Sequence, residues 1–153
     1  MFIEKICKKL AKSKIDYAIV GGYAVALHGA VRGTMDLDLV VKQTLGSYVA
    51  IEKALIEIGF EARLPVSAKE IFHFREEYIK NKNLVAWSFY NPNDPSEIVD
   101  IIVTHDLRQL QKTKVALDHL NIFILSKEDL IAMKKKSSRP QDLADIEALE
   151  KLL

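Results

Sequence analysis

Ile15-Asp16-Tyr17-Ala18-Ile19-Val20-Gly21-Gly22 and, thirteen residues later, Asp36-Leu37-Asp38-Leu39-Val40-Val41 decide how this chain folds. Ile15 to Val20 form a short apolar strand, which Gly21-Gly22 breaks sharply. Tyr23 to Leu27 then read as a short helix ending near Gly29, where glycine takes a left-handed cap. Residues 36–41 form a second strand. Side chains alternate across a strand, so Asp36 and Asp38 share one face. Leu37, Leu39 and Val41 turn to the other face, into a core. Two carboxylates one pleat apart repel and raise each other's pKa unless a cation neutralises them.

The rest of the chain supplies layers around these two strands. Upstream, Ile3, Ile6, Cys7 and Leu10 recur at helical spacing, which predicts a helix over 2–13. Downstream, a second long helix spans Leu45 to Ile58 and is closed by Gly59. Phe60 to Leu64 read as a strand, and Ser67 with Glu70 resembles a capping box opening a helical segment within 67–82. Leu84 to Tyr90 and Glu97 to Thr104 flank the turn cluster Asn91-Pro92-Asn93-Asp94-Pro95 and read as an antiparallel hairpin. One or two helical turns over 106–111 lead to a smaller hairpin, 114–117 with 121–125. Ser126 caps a helix to about Lys136, and Pro140 opens a last helix at its first turn. The expected fold is α/β (α+β): a mixed β-sheet with flanking helices and a short helical C-terminal tail. It is read as a single domain over 1–153, with a core of about 1–125 and a tail of about 126–153.

A third carboxylate stands out. Asp100 interrupts Glu97-Ile98-Val99-Asp100-Ile101-Ile102-Val103, a run that otherwise reads as fully buried, and a buried aspartate needs a partner. A divalent magnesium-like ion, bound by oxygens from two strands, satisfies Asp36, Asp38 and Asp100 together. The alternative is an exposed sheet face for the first two and an arginine for the third. Gly21-Gly22 lies between a strand and a helix start, where bare backbone amides hold a phosphate. Its alternative is a tight turn.

Together these residues resemble the nucleotidyltransferase superfamily, the DNA polymerase beta-like fold. The shared signature is a strand ending in Gly-Gly, a spacer of this length, Asp-Leu-Asp-Leu, and a later-strand carboxylate at Asp100. Arg32-Gly33-Thr34-Met35-Asp36-Leu37-Asp38 is similar to small stand-alone members and to AbiEii-type toxins. Their tail pattern is similar to Leu130-Ile131-Ala132-Met133-Lys134 followed by Arg139-Pro140-Gln141-Asp142-Leu143-Ala144-Asp145-Ile146. The resemblance implies an enzyme that moves a nucleoside monophosphate from an NTP to a hydroxyl or phosphate acceptor. It implies Asp36, Asp38 and Asp100 as catalytic, metal-holding residues for Mg2+ (or Mn2+), and Gly21, Gly22, Arg32, Thr34 and Lys134 as nucleotide-binding residues. Such transfer depends on positioning and charge stabilisation, which agrees with the lack of a Ser-His-Asp or Cys-His set.

Composition narrows the classes. The chain has 153 residues, 49% hydrophobic and 28% charged, which excludes wholesale disorder. Twenty-two Lys+Arg against 21 Asp+Glu leave a net charge of +1, so bulk charge does not indicate nucleic-acid binding. Cys7, the one cysteine, cannot form an internal disulfide and reads as a small hydrophobe in a reducing compartment. No run approaches the ~18 apolar residues that span a membrane, and Glu4 interrupts any signal-like N-terminus, so a cytoplasmic protein is expected.

Other residues carry two readings each. Lys134 either reaches a β- or γ-phosphate or belongs to the solvated run Lys134-Lys135-Lys136. Arg32 and Thr34 either touch phosphate or brace the loop. Arg139 and Asp142 read as a structural pair. His28, His73, His105 and His119 lack zinc spacing, and His105 reads as a surface residue in preference to one facing the site. Trp87 and Phe89 read as core in preference to a base-stacking platform. The acceptor is a small molecule, tRNA or protein. A toxin of a toxin-antitoxin pair competes with a small-molecule modifier, and a non-catalytic nucleotide- or protein-binding module is the alternative to both. With only about 28 residues after Leu125, a homodimer or a partner protein is an expected way to complete the acceptor site.

Overall fold

Alternation within Ile98–Val103 sorts the molecule into two sides. Val99, Ile101 and Val103 are buried, whereas Ile98, Asp100 and Ile102 are half-buried. The run is therefore not fully buried, as its composition suggested. One face packs on the core, and Asp100 looks out from the other. The computed structural model describes residues 1–153.

In chain order the elements are α1 (Phe2–Lys12), β1 (Ala18–Val20), α2 (Gly21–Leu27), β2 (Leu37–Val40), α3 (Leu45–Glu57), β3 (Glu61–Ala62) and α4 (Ala68–His73). They continue with α5 (Arg75–Lys82), β4 (Ala86–Asn91), β5 (Asp94–Ile102), a 3-10 turn (Leu107–Gln109), β6 (Lys112–Leu117), β7 (Leu120–Leu125), α6 (Lys127–Ser137) and α7 (Pro140–Glu150). The strands make one mixed sheet in the order β3-β4-β5-β2-β1-β7-β6. At its centre β2 runs antiparallel to β1 and parallel to β5. The mixed β-sheet with flanking helices and a helical C-terminal tail expected from the sequence is the architecture observed.

The core joins 33 buried residues into one cluster. Ile3, Ile6, Cys7 and Leu10 are the buried side of α1, and burial pushes the Cys7 thiol above its ordinary value. Trp87 and Phe89, side chains of the same face of β4, are fully buried. Trp87 stacks on Tyr48 at 5.4 Å and meets the edge of Phe89 at 4.7 Å. These rings are core, and large aromatic burial of this kind dominates the stabilisation of a small sheet protein.

Several boundaries differ from the sequence reading. β1 is three residues long and α2 starts at Gly21 itself. Asp36 lies at a bend ahead of β2. The first hairpin turns tightly at Pro92-Asn93, and β5 already begins at Asp94. Pro95 is tolerated there because β5 pairs with β2 only from Val99 to Ile101, which leaves its start an unpaired edge on that side. Residues 67–82 hold two helices, α4 opened by the Ser67–Glu70 capping box and α5 after a break at Phe74. No helix is long and apolar enough to cross a membrane.

Candidate active site

Strand register places four residues in one row across four strands. Ser88 of β4 pairs with Asp100 of β5, Asp100 with Asp38 of β2, and Asp38 with Val20 of β1. Directly paired residues share a face, so Asp38 and Asp100 stand side by side away from the core. The Ser88 hydroxyl donates to Asp100 Oδ1 at 2.6 Å and fixes that carboxylate. Burial, then the charge of Asp100 and a hydrogen bond to it, push the Asp38 carboxyl up to about 7, with Asp36 adding to the rise. Burial and the Asp100 charge also raise Asp36, opposed by Arg63. Asp100 thus acts on both of the other carboxylates, and Asp36 on Asp38.

Asp38 and Asp100 fit a divalent cation by their chemistry. They are two oxygen donors from adjacent strands, and burial with the neighbouring Asp100 charge raises Asp38, a penalty that a cation would relieve. Asp36 is the third carboxylate available to such an ion. No three Asp, Glu, His or Cys side chains are gathered closely enough to form a finished ligand set. Asp36 stands apart because it sits on the bend before β2 and not in the strand's pleat.

The glycines are explained by what approaches them. Gly21 has φ +65, and a Cβ there would run into Asp38 Oδ2 and lie 2.9 Å from its Cγ. Only glycine accommodates both the left-handed backbone and the carboxylate pressed against it. At Gly22 a Cβ would lie 2.7 Å from Thr34 Cβ and 3.2 Å from Arg32 Cζ. The loop carrying Arg32 and Thr34 therefore packs directly onto the start of α2. Thr34 Oγ1 reaches its own loop at Asp36 O, 3.5 Å away.

For Lys134 the structure removes one of its two sequence readings. It is no part of a solvated lysine run: it is 7% exposed, and its Nζ lies 2.8 Å from Asp145 Oδ2 and 3.7 Å from Asp142 Oδ1. Arg32 Nε donates to the other oxygen of Asp145 at 3.0 Å, and Arg32 also donates to Gly33 O. Arg139 pairs with Asp142 at 2.9 Å, the structural pair its spacing suggested. Burial raises the carboxyl of Asp142, but the hydrogen bonds from Arg139 outweigh it and hold the group down to about 2. Asp145 behaves alike: burial is outweighed by Lys134, Gln141 and Arg32. Two buried aspartates of α7 thereby clamp a lysine from α6 and an arginine from the loop before β2. Ser88 and Asp145 were given no role by sequence reasoning, although Asp145 lies one helical turn from Asp142.

Of these groups, Gly21, Asp38, Lys134, Arg139 and Asp142 border a cleft of about 580 Å³ beside the α6–α7 corner. Gly21, Asp38 and Lys134 lie on its wall, with Leu130 and Met133 of α6 and the residues just beyond β5. His105 is among the latter and is half-buried, not a free surface histidine. Its volume and mixed lining are those of a small-ligand site.

Comparison with known proteins agrees with this architecture. A sequence search among curated proteins finds no match. In structure, the chain is similar to an antigenic nucleotidyltransferase-like protein from Paracoccidioides brasiliensis, with TM-score 0.58 and 20% identity over 99% of this chain and 73% of that one. It is also similar to the lincomycin-bound lincosamide antibiotic adenylyltransferase LnuA, with TM-score 0.67 and 14% identity over 99% and 96%. A third is ANT(2″)-Ia in complex with adenylyl-2″-tobramycin, with TM-score 0.62 and 13% identity over 98% and 90%. Likeness at these identities establishes the fold. The family follows from the sequence itself: residues 2–152 match the model of the family Nucleotidyltransferase of unknown function (DUF6036), and the chain belongs to that family.

Proposed function

We propose that the chain, acting as one nucleotidyltransferase-like unit, transfers a nucleoside monophosphate from an NTP to a hydroxyl-bearing acceptor, in a reaction that depends on a divalent cation. The observation that carries this reading is the Asp38–Asp100 pair, in register on adjacent strands, with Asp38 on the wall of a cleft. A cation such as Mg2+ at Asp36, Asp38 and Asp100 would neutralise the triphosphate and ease ionisation of the acceptor hydroxyl. Ser88 holds Asp100 in one orientation for this task. Lys134 brings a positive charge to the cleft at a position fixed by Asp145, so little reorganisation is needed when phosphate enters. At the start of α2, Gly21 lies on the cleft wall beside Asp38 and would offer its backbone N–H to a phosphate, whereas Gly22 is buried under the Arg32–Thr34 loop. Arg32 and Thr34 brace that start and keep their polar ends near it.

LnuA and the ANT(2″)-Ia complex tie this fold to adenylyl transfer onto antibiotics, and they support the reaction class without naming the acceptor here. Thermal unfolding with each of the four NTPs, with and without Mg2+, tests the reading. Stabilisation by at least one NTP that requires Mg2+ is the expected result. Equal stabilisation without metal, or none at all with it, would overturn the proposal.

A further inference from the structure

One part of the cleft wall is built around His105. The residue follows β5, and its ring is held by Thr104, whose Oγ1 lies 3.0 Å from His105 Nδ1. Its backbone carbonyl accepts from Gln43 Nε2 at 2.7 Å. Gln43 is fixed in turn by the Tyr48 hydroxyl, which donates to Gln43 Oε1 at 2.6 Å. Tyr48 is fully buried and stacked on Trp87, so the chain of contacts is anchored in the core. With Nδ1 engaged by Thr104, Nε2 is the ring nitrogen left for a ligand, and His105 lines the cleft. Val85, Ile102 and Met133 line the same cleft. A fixed polar edge among apolar walls suits a flat heterocycle whose faces are apolar and whose rim carries donors and acceptors. Burial and the charge of Lys136 hold the imidazole below its ordinary pKa, so at neutral pH it offers one donor and one acceptor.

Position favours the nucleotide donor as the occupant. His105 lies five residues beyond Asp100, a reach of at most ~18 Å along the chain, and the cleft joins it to Gly21, Asp38 and Lys134.

We propose that His105, oriented by Thr104, is a specificity-determining residue that reads the base of the NTP. This rests on the cleft being the nucleotide site. The test measures dissociation constants with Mg2+ for the four NTPs and for inorganic tripolyphosphate, by calorimetry, on the parent, His105→Ala and Thr104→Val. The parent should prefer one base. His105→Ala should narrow that preference by about five- to tenfold, the worth of one hydrogen bond to a buried edge, with tripolyphosphate affinity within about twofold of the parent. Thr104→Val, which keeps the imidazole but frees it, should lose part of the preference. If tripolyphosphate binds but the base preference is absent in the parent or unchanged in His105→Ala, the role of His105 is wrong while the nucleotide site stands. If the parent fails to bind tripolyphosphate, the nucleotide reading fails and this inference fails with it.

Discussion

Replacing Asp38 by asparagine separates a metal ligand from a structural acceptor, because the two roles predict stability changes of opposite sign. The side chain keeps its size and one oxygen but loses its charge. A carboxyl with an ordinary value of 3.8 that is pushed up to about 7 in the fold costs about 4 kcal/mol once ionised, at about 1.4 kcal/mol per tenfold change in proton affinity. The introduced amide would still be a largely buried polar group beside Asp100, so roughly half of that, ~2 kcal/mol, is the expected gain. The sign follows from proton binding. Between about pH 4 and 7 the folded parent holds a proton that the unfolded chain has released, so the parent loses stability as pH rises through this window. Asp38→Asn lacks that dependence. Near pH 4 the variant should therefore melt ~4–8 °C below the parent, and by pH 8 ~4–8 °C above it in metal-free buffer, at ~2–4 °C per kcal/mol for a chain of this size. Added Mg2+ should raise the parent and leave the variant almost unmoved, since only the parent offers two carboxylates in register. Differential scanning calorimetry at pH 4, 6 and 8, with EDTA and then with Mg2+, reads all of this. A variant that melts below the parent at pH 8 would refute the reasoning and make Asp38 a structural acceptor.

Two further substitutions probe the surroundings. Gly21→Ala adds a Cβ at φ +65 against the Asp38 carboxylate; it should lower Mn2+ affinity, titrated by calorimetry, at least tenfold although it removes no ligand, and parental affinity would show that the close approach is incidental. Asp145→Asn leaves Lys134 with Asp142 alone at 3.7 Å and should cost ~2–3 kcal/mol, somewhat below the usual loss for breaking a buried pair. That corresponds to a fall of ~4–12 °C in melting temperature, with weaker Mg2+-dependent binding of NTP; an unchanged melting temperature would remove Asp145 from its clamping role.

Much of this arrangement was legible because strands impose a period of two. Leu37 and Leu39 against Asp38, and Val99 and Ile101 against Asp100, announce a buried face and a reactive one before any coordinates. What alternation cannot supply is which strands are neighbours. That β2 and β5 run parallel with Asp38 opposite Asp100 depends on the crossover of the chain between them, and Ser88 joins the row only through the β4–β5 register. Asp36 misled in a small way, since a pattern of alternation gives no sign of a bend at the strand's start. Lys134 misled more. Three consecutive lysines look solvated, and the one that turns inward is decided by Asp142 and Asp145, contributed by the next helix. The glycines were legible as a break but not in their reason. Gly21 makes room for a carboxylate that lies seventeen residues away in sequence.

The central claim concerns which phosphorus moves. The parent and Asp100→Asn, each incubated with Mg2+, a cell lysate and NTP labelled at the α- or the γ-phosphate, give the most direct answer. Monophosphate transfer predicts that the α-label becomes attached to an acceptor in the parent reaction, that the γ-label leaves as pyrophosphate, and that Asp100→Asn attaches neither. Attachment of the γ-label, or α-labelling that survives loss of the Asp100 carboxylate, would contradict the account.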